Sequence, residues 1–412
     1  MNPRLMILGA GTCQVPIIRK AQEMGFYTIV VSVSGNYPGF FVADKYFEID
    51  LREKEEILKV AKKEKICGIL TDQTDIPVLT VGFVAEKLGL PGIGYDCSLR
   101  FTNKFQMRQY CEKINVPVPA HYNASTLTEA CNYAKKVGFP LMVKPVDSQG
   151  SRGVSRIDNP TELENKIVAA LGYSACHEVI LEQFIPDGNE VVVQGFVSDY
   201  ESTNLVVGDR YYFEIPDFFI PKQTLFPSLL PESLQQKILE INYHLITNFA
   251  PKFGITHSEY LVNPVTGSIY LVETAIRGGG VFISSDLVPM ACGVNVGELL
   301  IKCATGTPNV RISPYKKENN AAGYVCFYLP EGVIRSVEGI EKVMSLAGVK
   351  KAHLDDIQIG EKIGPLRDKT MRLGPILVAG KDRTELHATI EKVKDTLKID
   401  VETPSGIRGI EW

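Results

Sequence analysis

Along residues 4–95, short apolar runs alternate with amphipathic stretches. Leu5–Leu8 (LMIL), Thr28–Val33 (TIVVSV) and Gly68–Thr71 (GILT) read as strands. Val15–Met24, Glu53–Lys63 and Val78–Leu88 carry apolar residues at helical spacing and read as helices. Strands this short and uniformly apolar are buried on both faces, so the pattern predicts a parallel sheet flanked by helices. Phe101–Ile114 continues as one amphipathic helix, ended by Val116-Pro117-Val118-Pro119.

From about residue 120 the pattern changes. Helices over Thr126–Val137 and Pro160–Leu171 precede strands at Leu141–Lys144 and Val179–Glu182, and another strand follows at Glu190–Val197. Ile255–Val262 and Ser268–Thr274 flank the turn Asn263-Pro264-Val265-Thr266-Gly267, which predicts a hairpin in a mostly antiparallel sheet. Residues 307–320 are polar, carry two prolines and read as a linker. Beyond it, strands are expected near Ala322–Tyr328, Lys351–Leu354 and Gly374–Gly380, and helices near Val337–Ser345 and Arg383–Thr396. The fold class is therefore α/β followed by α+β.

A length of 412 residues is too great for one ordinary core and suits two or three domains. The 44 Lys and Arg against 48 Asp and Glu leave a net charge of −4, which argues against nucleic-acid or membrane-surface partners. Nine scattered cysteines without a CxxC pair read as reduced thiols of a cytoplasmic protein. The opening MNPRLMILGAG reads as a first strand rather than a leader, and no apolar run is long enough to cross a bilayer.

Gly9 and Gly11 follow a strand and precede a helix, as in a dinucleotide-binding turn. Gln14 stands at the third glycine position and no acid closes the next strand, so a tight structural turn is the better reading. Lys144 closes an apolar strand before Asp147-Ser148-Gln149-Gly150-Ser151-Arg152-Gly153. Small residues there let backbone N–H groups approach phosphate oxygens, with Lys144 as a point charge. By itself the segment is better read as a flexible hairpin. Glu182-Gln183-Phe184-Ile185 ends another strand; its backbone could pair with an adenine edge, with Glu182 accepting from the amino group and Phe184 or Ile185 beside the ring. Glu190 is placed to accept from ribose hydroxyls.

Glu259 and Glu273 form the strongest pair. A hairpin register centred on Thr266 sets them directly opposite, with Cβ atoms about 4.5–5.5 Å apart on one face. Carboxylates so close repel unless a proton or cation lies between them, and hard oxygen ligands with room for phosphates suit Mg²⁺. Arg277, before Gly278-Gly279-Gly280, could grip a phosphoryl or carboxylate group, with the glycines admitting a ligand to the backbone. His257 shares the face of Glu259 and reads as a supporting residue. Asp209–Pro231 is rich in aromatics and prolines and reads equally as an apolar acceptor pocket or a packed excursion.

In this order the segments resemble the ATP-grasp superfamily, most closely the branch of biotin carboxylase, the carbamoyl-phosphate synthetase large chain and the bacterial L-amino-acid ligases. The resemblance covers nearly the whole chain. It implies a Rossmann-like pre-grasp domain at 1–97, an ATP-grasp domain at 98–306 and a small C-terminal domain at 321–412, where EGVIRSVEGIEKV…GVKKAH…PLRDKTMRLGPILVAGKDRTEL is similar to the L-amino-acid ligases. Asn103-Lys104 resembles the family's Asp-Lys helix start. Lys104, Lys144, Ser148, Gly150, Ser151, Gly153, Glu182, Phe184, Ile185 and Glu190 are then expected at ATP. Glu259 and Glu273 are expected at Mg²⁺, with Mn²⁺ as an alternative. Arg277 and Lys144 are the expected catalytic residues, with Arg277 and Gly278–Gly280 at the substrate. Two departures stand out: Asn103 replaces the usual Asp, and Ala275 replaces an Asn that completes the metal shell. No biotin-accepting Met-Lys segment occurs. The implied reaction joins a small-molecule carboxylate to an amine through an acyl phosphate, releasing ADP and phosphate, and the implied assembly is a homodimer. Activation of bicarbonate, and ATP binding without turnover by a regulator, are the alternatives. An oxidoreductase reading would rest on Gly9 and Gly11 alone.

Overall fold

Leu5, Met6, Ile7 and Leu8 are fully buried because the strand Arg4–Leu8 lies inside a four-stranded parallel sheet. Tyr27–Ser32 and Gly68–Leu70 flank it, and Lys45–Glu48 forms an edge. That edge strand escapes the hydrophobic pattern because its KYFE sequence is largely exposed. The computed structural model describes residues 2–148, 150–215, 219–314, 319–366 and 371–412. Gln149 of the glycine loop, 216–218 of the aromatic segment, 315–318 of the expected linker and 367–370 of the ligase-like stretch lie outside them.

The single helix expected over Phe101–Ile114 is two helices, Tyr95–Thr102 and Lys104–Lys113. Asn103 separates them. Its extended backbone breaks the first helix, and its side chain accepts from the Gln106 N–H at 2.9 Å to start the second. The turn also lets the Lys104 N–H donate to the Val146 carbonyl at 2.9 Å, which ties this helix to the glycine loop.

His121–Ala124, Val179–Gln183, Leu141–Pro145 and Ser155–Ile157 form an antiparallel four-stranded sheet. Helices Leu127–Val137 and Leu163–Gly172 cover it, burying Ala130, Ala134 and Ile167 against Val143 and Leu181. The first of these helices starts at a capping box formed by Thr126 and Glu129.

A central antiparallel sheet holds eight strands, in the order Ile269–Ala275, Phe253–Val262, Asn189–Ser198, Glu201–Tyr212, Pro221–Phe226, Ala321–Phe327, Leu373–Gly380 and Val349–Ala352. Asn189–Ser198 is buried on both faces. Val191, Val193 and Val197 meet the long helix Glu232–Phe249, while Val192 and Phe196 share a core with Leu5 and Ile7 of the first sheet. The last three strands come from the C-terminal residues, so the sheet runs across the linker region. Val310 and Ile312 of that region pack against the core. Near residue 337 the strand Gly332–Glu338 replaces the start of the expected helix, which spans only Ile340–Ser345.

Candidate active site

Glu259 and Glu273 stand directly opposite each other across the hairpin. The route to that pairing differs from a register centred on Thr266. Next to the turn the pairs are Val262 with Ile269, Leu261 with Tyr270 and Tyr260 with Leu271. Continued without interruption, this register would set Glu259 against Val272 and put Glu273 on the other face. A bulge between Glu259 and Tyr260 skips Val272 and restores both acids to one face.

Each acid already meets a cation. Lys104 Nζ lies 3.0 Å from Glu273 and donates to the Ser148 carbonyl at 2.8 Å. Arg210 Nη1 lies 2.5 Å from Glu259 and 2.7 Å from Glu190, so one guanidinium bridges two acids. Burial alone would raise the Glu259 pKa, but Arg210 and the hydrogen bond from His257 outweigh it and hold the group well below the usual carboxylate range. Burial, together with the nearby Glu259 charge, keeps Glu190 above its ordinary value despite Arg210. Tyr212 donates its hydroxyl to Glu190. Gln194 Nε2 donates to His257 Nδ1 at 2.6 Å, which leaves the His257 Nε2–H to donate to Glu259 at 3.0 Å. Burial pushes the His257 pKa down, favouring this neutral form.

Lys144 contacts Glu182 at 2.5 Å rather than solvent. Arg108, fully buried, meets the other carboxylate oxygen at 2.7 Å. Burial raises the Glu182 pKa, but Arg108 and then Lys144 reverse the effect and bring it to about 2. Its carboxylate is therefore engaged by two cations. Phe184 carries the Arg156 guanidinium 4.2 Å above its ring.

The two acids, Lys104, Lys144, Glu182, Glu190 and Arg210 line one cavity of about 940 Å³. Its walls include Lys104, Lys144, Ser148, Gly150, Ser151, Glu182, Phe184, Ile185, Glu190, Glu259 and Glu273, so nearly all the residues expected at ATP come together. Gly153 does not reach it. With φ of +72° it packs where a Cβ would meet Pro145 at 2.8 Å and Tyr173 at 2.9 Å. The aromatic segment supplies Tyr211, Phe213, Ile215 and Phe219 to the same wall.

A smaller cavity of about 140 Å³ adjoins it, sharing Gly150, Ser151, Arg210, Glu259 and Glu273 and adding Gln73, Asp75, Arg277, Gly280, Tyr324 and Arg372. Arg277 forks onto Asp75 at 2.7 and 2.8 Å and also donates to the Gly278 carbonyl at 3.0 Å. Of the three glycines after it, only Gly280 lines this cavity. A Cβ at Gly278 would meet Ser284 Oγ at 2.1 Å and Asp72 Oδ1 at 2.3 Å, and one at Gly279 would meet His257 at 2.9 Å. The expected approach of a ligand to Gly278 and Gly279 is thus taken by protein groups. Val281 and Phe282 follow at φ of 60° and 59°, a left-handed pair costing about 1–3 kcal/mol per residue.

Arg108, Arg210, Arg372 and Asp75 were not singled out from the sequence. Arg210 had a signal, a lone cation in the strand Glu201–Tyr212 among β-branched and aromatic residues. Arg372 just precedes the apolar strand Leu373–Gly380; it donates to the Pro221 carbonyl at 2.7 Å and lies 5.6 Å from the Tyr324 ring centroid. Arg108 and Asp75 had none, because their partners lie 74 and 202 positions away.

Two acids on one face are a fit for a hard divalent ion that also takes phosphate oxygens. Among the described residues no group of three or more His, Cys, Asp and Glu side chains could hold a metal by itself. Ala275 pairs with His257 in the hairpin and offers no side-chain ligand. No helix among the described residues is long and apolar enough to cross a membrane.

Residues 103–310 match the family model of the carbamoyl-phosphate synthase L chain, ATP-binding domain, and residues 311–402 match L-amino acid ligase C-terminal domain 2. The C-terminal section of the carbamoyl phosphate synthase large chain from Methanopyrus kandleri is 26% identical over 317 residues. That match covers 71% of this chain but 57% of the relative, little over half its length. A formate-dependent phosphoribosylglycinamide formyltransferase from Sulfurisphaera tokodaii is 22% identical over 95% of this chain and 94% of its own. Among solved structures, the L-amino acid ligase from Bacillus licheniformis superposes with a TM-score of 0.81 at 23% identity, covering 98% of this chain and 99% of that one. The biotin carboxylase domain dimer of Hydrogenobacter thermophilus 2-oxoglutarate carboxylase, in complex with MgADP, ADP and bicarbonate, superposes with a TM-score of 0.75 at 17% identity, covering 99% and 92%. With half of its length matched by the first model, the chain belongs to the carbamoyl-phosphate synthase L chain ATP-binding domain family of the ATP-grasp superfamily.

Proposed function

We propose that this protein joins a small carboxylate to an amine at the expense of ATP. The observation that carries the reading is the placement of Glu259 opposite Glu273 on a wall shared by the large cavity and the arginine-lined small one. ATP is assigned to the large cavity, with the base beside Phe184 and Ile185 and the ribose near Glu190. Lys104, Lys144, Ser148, Gly150 and Ser151 are assigned to its phosphates. Arg210 joins them, because its buried Nε has no acceptor among the described residues. Glu259 and Glu273 would hold magnesium, or manganese in its place, which when bound neutralises phosphate charge.

Arg277 and Arg372 hold the substrate carboxylate in the small cavity. Its oxygen attacks the γ-phosphorus and the bond to the β-phosphate bridging oxygen breaks, giving an acyl phosphate and ADP. An amine then attacks the acyl carbon and inorganic phosphate leaves, with an amide as product. The protein's contribution is to position the reactants and neutralise charge. Closing of the Gly150–Gly153 loop would exclude water from the acyl phosphate. A volume of about 140 Å³ suits a small carboxylate, and it also favours bicarbonate as a second reading. A cytoplasmic homodimer belongs to the same proposal, and light scattering tests its assembly.

The experiment is a phosphate-release screen with MgATP, pairing amino acids, dipeptides, polyamines and small carboxylates, with bicarbonate alone as a separate arm. Release that needs a carboxylate and an amine together, with formation of the amide, supports ligation. Release that needs only bicarbonate supports the second reading. Tight ATP binding without ADP in any arm identifies a nucleotide-binding regulator and ends the ligase reading.

A further inference from the structure

The segment Asp72-Gln73-Thr74-Asp75 follows the strand Gly68–Leu70 of the first sheet, some two hundred residues from the arginine loop it touches. Asp72 is buried, and its Oδ1 accepts from the Gly278 N–H at 2.9 Å while Oδ2 accepts from Ser284 Oγ at 2.8 Å. Gln73 Oε1 accepts from the Phe282 N–H at 2.8 Å, and its Nε2 donates to the Cys13 carbonyl at 2.9 Å. Asp75 takes the fork of Arg277. Three acceptors within four residues thus hold four points of the loop, at 277, 278, 282 and 284.

The loop needs holding. Its glycines impose little backbone preference, and Val281 and Phe282 sit in the left-handed region, where Gln73 itself also lies at φ of 59°. Within 277–284 the path is held by the Arg277 bond to the Gly278 carbonyl and by a 3.4 Å bond from the Ile283 N–H to the Gly280 carbonyl. The acceptors select it from outside, and a guanidinium fixed by a two-point fork keeps one plane.

We infer that Asp75, supported by Asp72 and Gln73, is the positioning residue for Arg277: the first domain sets the arginine that the reaction uses. This rests on the assignment of Arg277 to the reacting group. Asp75 acts through Arg277, so its loss should misplace one charged group without altering the nucleotide pocket. A misplacement of about 1 Å at such a group lowers turnover by about 100-fold.

The test compares Asp75→Asn, Arg277→Ala and the double variant in phosphate release from MgATP, using the active pair from the screen or the basal rate if no pair is active. Asp75→Asn should lower kcat by about 100-fold and leave the KM for ATP within about twofold. If Asp75 acts on turnover through the arginine, the double variant is no slower than Arg277→Ala. Asp75→Glu, which keeps the carboxylate, should recover part of the loss. Amide exchange at Phe282 provides a reading independent of turnover, and it should quicken in Gln73→Ala. An Asp75→Asn enzyme with wild-type kcat, or single losses that multiply in the double variant, overturns the positioning role. An Arg277→Ala enzyme with wild-type turnover instead overturns the underlying assignment of Arg277, so the two failures are told apart.

Discussion

Arg108 Nη2 donates to the carbonyl of Val272 at 2.6 Å, and Val272 is the residue left unpaired by the bulge that sets Glu273 opposite Glu259. The same guanidinium holds Glu182, the partner of Lys144. One buried side chain therefore links the lysine expected at phosphate to the acids expected at metal.

Replacing Arg108 by Met should be among the most damaging single changes. It leaves the part-buried carbonyl of Val272 without its donor and the buried Glu182 with Lys144 alone. A loss of about 3 kcal/mol is expected, read as a lower urea midpoint at unchanged slope. Turnover of the remaining folded enzyme should fall as well, because the bulge loses its anchor.

Glu182 also predicts a pH dependence. Its folded pKa of about 2 lies below the ordinary carboxylate value of 4.5. The unfolded chain therefore binds this proton more readily, and the stability it contributes is fully present above pH about 4.5 and lost as pH falls toward 2. The contribution is about 3 kcal/mol. Glu182→Gln should flatten the fall in stability over that window in denaturant melts at successive pH values. An equally steep fall in the variant would contradict the linkage.

Glu259→Gln and Glu273→Gln should each lower phosphate release by about 100-fold or more. They should differ in stability. Glu259 pairs with both Arg210 and His257, whereas among the described residues Glu273 pairs with Lys104, so the first substitution should lower the melting temperature more. EDTA should abolish turnover in the wild-type enzyme, and Mg²⁺ should restore it.

Gly278→Ala and Gly280→Ala separate structural glycines from the one beside the cavity. A methyl group at 278 would overlap Ser284 and Asp72, whereas at 280 nothing lies within 4 Å. The first should cost about 1–3 kcal/mol by overpacking. The second should leave the melting temperature unchanged, so any loss of activity in it reports on the cavity.

Much of this architecture was legible in the chain. The LMIL strand, the helix after Thr126 and the antiparallel hairpin around Gly267 follow from local periodicity and turn chemistry, which act over a few residues. Lys45–Glu48 was missed because an exposed edge strand leaves no apolar trace. Periodicity alone runs through the break at Asn103, because both flanking helices keep the same amphipathic rhythm and only the cap divides them; the resemblance of Asn103-Lys104 to a helix start is what pointed to it.

The acids themselves were visible as carboxylates embedded in apolar strands. Their pairing across the hairpin was expected, yet the bulge that produces it was not, since sequence spacing does not show which residue a strand will skip. Likewise Arg277 was legible before its glycines, while Asp75 as its partner was not. Local order thus determined the elements and the kinds of side chain that carry chemistry. Tertiary folding decided which charges meet, because a salt bridge depends on distance in space and the chain sets no limit on how far apart its two members begin.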